Sequence, residues 1–149
     1  MNLALEGGIY GYVVPAARII AGFFVGMMLG IVGGWAGLTF NAMVGYPWAA
    51  NVHLSIYIAG IGLGAGLGAY MGWINLNLRW YVVLATAAAI ILAGILGSAI
   101  GNLYWEIFTD ASFMGARDTR VNMTHFGAAV AAIVVSTGLG LYFHVRTRN

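Results

Sequence analysis

Gly60-Ile61-Gly62-Leu63-Gly64-Ala65-Gly66-Leu67-Gly68-Ala69-Tyr70-Met71-Gly72 is the stretch on which the fold turns. At 3.6 residues per turn, Gly60, Gly64, Gly68 and Gly72 fall nearly on one line along a helix, with Gly62 and Gly66 on a second line beside it. In water each such glycine would cost about 1 kcal/mol relative to alanine. In lipid an unpaired backbone amide has no water to turn to, so the helix forms regardless. A glycine groove then lets a neighbouring helix approach closely, and packing drives the association. The stretch therefore predicts a transmembrane helix shaped to be gripped by another helix.

Composition agrees. Of the 149 residues, 62% are hydrophobic and 7% charged, with a mean hydropathy of +0.91. Soluble domains carry roughly 25% charged residues, so this chain cannot cover a water-facing surface. There is no cysteine, which removes disulfides, thiol nucleophiles and thiolate metal sites. A net charge of +2 is too small, and the arginines too dispersed, to suggest nucleic-acid binding, and no nucleic-acid partner is expected. The first fifteen residues lack a basic region and do not read as a secretory signal.

Working outward, the sequence predicts an all-α membrane protein of one domain with four transmembrane helices, at about residues 16–40, 53–74, 80–104 and 125–143. Residues 1–14, with Tyr10 and Tyr12, read as an interfacial lead-in, and Pro15 suits the first turn of the first helix. That helix repeats glycine every four residues at Gly22, Gly26, Gly30 and Gly34. The third carries Ala85, Ala89, Ala93, Gly97 and Gly101, and the fourth Ala128, Ala132, Ser136 and Gly140. Glycine-mediated close packing follows. Small residues on more than one face of each helix point to other transmembrane subunits as partners, besides membrane lipids.

Four spans put both termini and the Asn75–Arg79 turn on one side, together with Arg18, Arg79, Arg146 and Arg148. The opposite side holds Arg117 and Arg120, offset by acids. The positive-inside rule then places both termini in the cytoplasm and the chain in a plasma (inner) membrane.

The two halves resemble each other. Sliding His53–Trp73 onto His125–Val145 pairs His53 with His125, Ile61 with Ile133, Gly66-Leu67-Gly68 with Gly138-Leu139-Gly140, and Tyr70 with Tyr142. Separately, Gly30-Ile31-Val32-Gly33 matches Gly94-Ile95-Leu96-Gly97, with Gly37 on Gly101. Two readings stand: a duplicated helical hairpin, which would relate the halves by a pseudo-two-fold axis along the membrane normal, or coincidence in a Gly/Ala-rich chain.

The run Gly60 to Gly68 also resembles the glycine-rich inner helix of the rotor-ring proteolipids of ATP synthases, some relatives of which carry two fused hairpins. That resemblance covers one span of four. It implies an ion-carrying carboxylate at mid-membrane in the hairpin's other helix. The first, third and fourth spans have no interior Asp or Glu, so the likeness extends to packing and not to function. The same lack argues against proton-coupled transport.

Among residues that could carry chemistry, His53 and His125 stand at matching places in the repeat, each at the outer end of a span. Two neutral imidazoles facing each other in a bundle can ligate haem b; a histidine at the bilayer edge more commonly serves the interface. Helices in glycine contact leave little room for a haem. The segment Trp105–Thr124 reads as the longest loop, with Glu106, Asp110, Arg117, Asp118 and Arg120 as a docking surface for a partner. No nucleophile–base spacing, phosphate-binding loop or metal-binding signature occurs, so no enzyme is expected. Functionally, the sequence points first to a structural or accessory subunit of a larger respiratory or photosynthetic complex, positioning lipids or pigments. The alternatives are a haem b electron-transfer or quinone-interacting subunit, where Phe23, Phe24, Tyr57 or Phe126 could contact a quinone, and a homo-oligomeric channel or small-solute carrier.

Overall fold

The computed structural model describes residues 10–44, 50–72, 78–105 and 116–146. Four helices account for nearly all of them: α1 (Tyr10–Met43), α2 (Ala50–Met71), α3 (Trp80–Leu103) and α4 (Ala116–Arg146). Each contains a segment long and apolar enough to cross a bilayer, and among the described residues there is no strand. The chain is an all-α integral membrane protein.

Two boundaries differ from the expectation. Pro15 lies inside α1 rather than in its first turn. The apolar Val13 and Val14 suit the same surroundings as the rest of the helix and continue it. Likewise α4 begins at Ala116 and not at His125, so Arg117, Asp118 and Arg120 are helical rather than in a loop. The first turns of α4 are anchored sideways: Thr119 and Thr124 are buried, and Arg120 bonds to α3. Glu106 and Asp110 lie outside the described residues, as do the turn residues Asn75 and Asn77.

The helices touch as α1·α2, α2·α3, α3·α4, α1·α4 and α2·α4, while α1 and α3 do not meet among the described residues. So α2 touches all three others. Its first glycine line faces α1. A methyl built on Gly33 would strike the carbonyl oxygen of Gly60, and one built on Gly60 would strike that of Gly33. Farther along, a methyl on Gly64 would strike the Leu29 carbonyl, and one on Gly68 would lie 2.6 Å from the Gly26 nitrogen. The second line faces α3, where Gly62 abuts Gly94 and Ile95, and Gly66 abuts Ile91. Between the two lines run Ile61, Ala65 and Ala69. These meet Ala128, Ala132 and Ile133 of α4 and fill the bundle axis.

The α3–α4 hairpin uses the same construction. Gly97 opposes Gly127 as Gly33 opposes Gly60, and Gly101 opposes Met123 as Gly37 opposes Ile56. In this register Gly60 corresponds to Gly127, whereas the sequence match pairs it with Ala132. The buried series agrees: Ile61, Ala65 and Ala69 correspond to Ala128, Ala132 and Ser136, all at most 1% exposed. The odd-numbered helices follow the sequence match and the even-numbered ones are shifted by more than a turn. Packing aligns the surfaces that can touch, and Gly138, the sequence match of the seated Gly66, has nothing within 4 Å.

Candidate functional site

Polar side chains concentrate at the end of the bundle where α1 joins α2 and α3 joins α4. Asn41, completely buried near the end of α1, donates from Nδ2 to the His53 carbonyl at 3.2 Å. It accepts from His53 Nδ1 at 3.1 Å. Across the bundle Arg120 Nε donates to Asn102 Oδ1 at 2.8 Å. Each hairpin is thus closed by a side chain of its second helix bonding an asparagine near the end of its first. A buried group such as Asn41 has no water to bond, so its pairing fixes where the ends of α1 and α2 meet. Neither asparagine was singled out by the sequence reading; the available signal was an amide side chain in or beside an apolar span.

The two histidines occupy different settings. His53 is in the first turn of α2, while His125 lies more than two turns into α4. His125 Nδ1 sits 2.9 Å from the Val121 carbonyl oxygen. A carbonyl only accepts, so Nδ1 carries the proton and Nε2 of the neutral ring keeps its lone pair. The ring packs edge-on against Tyr57, with centroids 6.5 Å apart. Tyr57, one turn beyond His53, is therefore the α2 residue beside His125. Among the described residues no group of three or more His, Cys, Asp or Glu side chains comes together.

His125 and Tyr57 border a cleft of about 350 Å³ between α1 and α4, with α2 behind it. Its other walls are Met27, Ile31, Trp35 and Leu38 of α1 and Val121 and Asn122 of α4. The cleft arises from a difference between the two faces on which the hairpins meet. Glycine brings α2 and α3 into backbone contact. On the opposite face α1 and α4 are held by side chains, Gly22 against Ile133 and Phe23 edge-on to Phe126 at 6.1 Å. Bulky contact there keeps the helices apart, and the gap opens from Phe126 toward the hairpin end. His53 is not among the lining residues.

Elsewhere the interior carries little chemistry. Ser98 shares its hydroxyl proton between the Ile95 carbonyl, 2.7 Å, and the Ile58 carbonyl of α2, 3.0 Å. Ser136 bonds back to Ile133 within its own helix. Of the glycines expected to mediate packing, Gly22, Gly26, Gly30, Gly34, Gly60, Gly64, Gly68 and Gly72 lie between α1 and its neighbours, and Gly97 and Gly101 against α4. Comparison with family models, with curated proteins and with solved structures finds no match to this chain.

Proposed function

We propose that this chain is a non-catalytic, integral-membrane structural or accessory subunit of a larger membrane assembly, in a respiratory or photosynthetic inner membrane. Both termini are cytoplasmic in this reading. It rests on one observation: small residues within the membrane-spanning region that no other described residue of the chain covers. A methyl built on Gly138 of α4 would meet nothing within 4 Å beyond its own helix backbone among the described residues, and Ala85, Ala88 and Ala89 of α3 are exposed. In lipid, small residues favour close contact with another helix over contact with acyl chains. The axis of the bundle, filled by Ile61, Ala65, Ala128 and Ala132, offers a solute no path, which sets this reading above a pore through the single chain.

The test is purification from native membranes in mild detergent, followed by native mass spectrometry. A stoichiometric partner chain is expected. Gly138→Leu or Ala89→Leu should release the partner while the variant keeps the thermal stability of the isolated chain. A wild-type chain that runs alone, with no other subunit retained, overturns the proposal.

A further inference from the structure

We infer that the cleft between α1 and α4 is a binding site for a neutral ring lipid bearing a hydroxyl group, of the alkyl-hydroquinone type. Among the described residues no charged side chain lines the cleft, so a charged headgroup would enter it without a counter-charge from them, at a large desolvation cost. Its volume of about 350 Å³ falls in the range of small-molecule sites. The wall on α1 is apolar along its length, Met27, Ile31, Trp35 and Leu38 lying on one side of the helix at spacings of three or four residues. Ile31 and Trp35, 44% and 67% exposed, form a rim a molecule can cross from the lipid without passing through water.

The polar partners define the head. With its Nδ1 proton committed to the Val121 carbonyl, the neutral form of His125 presents Nε2 as an acceptor. The Tyr57 hydroxyl, across the ring contact, can donate or accept. Together they ask for a group that donates to one and accepts from the other, which is what a hydroxyl does. A quinone has carbonyls alone and leaves His125 Nε2 without a donor. The aromatic faces of Trp35 and Tyr57 and the thioether of Met27 favour a flat ring over a plain chain. The site therefore selects the hydroxylated form of a ring lipid from the corresponding carbonyl form by binding, with no redox step assigned to the protein.

The experiment is equilibrium binding of radiolabelled decyl-benzohydroquinone, under argon, to the purified full chain in detergent micelles, with empty micelles subtracted. Saturable binding is expected. The decyl-benzoquinone, the bis-O-methyl ether and 1-dodecanol should each compete about tenfold more weakly, corresponding to one lost hydrogen bond or the lost ring contact. His125→Leu should bring the hydroquinone and its ether to equal affinity. Met27→Trp should abolish binding by filling the cleft, and Leu92→Ala on the far side of α3 should leave it unchanged. Lack of saturable binding, equal affinity for hydroquinone and ether, or equal competition by 1-dodecanol overturns the assignment. These three arms use the wild-type chain and stand even if a variant fails to fold. The inference is independent of whether the chain belongs to a larger assembly.

Discussion

Arg120 of α4 donates to Asn102 of α3 at 2.8 Å, and this bond closes its hairpin at the same end at which His53 and Asn41 close the other. The two closures differ in burial. Asn41 is completely buried, whereas Arg120 is exposed at the bundle end. Replacing Asn41 by Leu removes its bonds to His53 Nδ1 and to the His53 carbonyl, and should cost about 1–3 kcal/mol. Replacing Asn102 by Leu frees an arginine that can turn to water, and should cost about 1 kcal/mol or less. Unfolding titrations in mixed micelles would rank the two; equal losses would show that burial of the asparagine is not what sets the cost.

Glycine at the hairpin crossings is required by space. Gly33→Ala and Gly60→Ala each place a methyl against a carbonyl of the opposing backbone, which cannot rotate away as a side chain can. Each should lower stability by about 1–3 kcal/mol, the usual cost of overpacking. Gly138→Ala meets nothing and should be neutral or raise stability by up to about 1 kcal/mol through helix propensity. The same micelle titration separates the outcomes.

Ser98 links α3 to α2 through the Ile58 carbonyl, beside the Gly62–Gly94 contact. Interhelical bonds of this kind average about 0.6 kcal/mol. The hydroxyl proton is shared with Ile95 of its own helix, so Ser98→Ala should cost no more than that. A loss above about 2 kcal/mol would mean that the hydroxyl also holds the glycine contact in place.

Because the chain has no cysteine, single cysteines can report topology directly. Cysteine at position 2 or 149 should react with a membrane-impermeant maleimide only after the membrane is opened. Cysteine at position 112, between α3 and α4, should react in intact cells. The reverse pattern would invert the orientation drawn from Arg18, Arg79, Arg146 and Arg148.

Helix number and span positions were legible because lipid imposes them: a run of apolar residues long enough to cross has few alternatives. Which glycine meets which was not. The sequence match aligned Gly66-Leu67-Gly68 with Gly138-Leu139-Gly140, yet Gly66 abuts Ile91 and its match Gly138 meets no neighbouring helix among the described residues. Identity along a strand of letters does not encode the rotation of one helix against another; contact does, and it pairs Gly60 with Gly127 in role. The start of α4 was misplaced for a related reason. Arg117, Asp118 and Arg120 look like loop residues until Asn102 supplies an acceptor on the neighbouring helix. The cleft was invisible for a third reason, since it depends on Phe23 and Phe126 holding apart two helices distant in sequence. Tyr57 and His125 were each noticed, but their adjacency is a product of the fold.

The hub position of α2 bears on how the molecule is made. Its span has a mean hydropathy of 1.5, against 2.0, 2.3 and 1.9 for the others, because glycines occupy sites where leucines would otherwise stand. A segment with so weak a preference for hydrocarbon leaves the insertion machinery slowly by itself. The preceding helix, already in the bilayer and shaped to receive it, supplies the missing preference. Assembly is then expected to begin as α1 and α2 enter together, and a lesion at their seam, such as Gly33→Ala, should show first as a failure of biogenesis and only afterwards as a loss of stability.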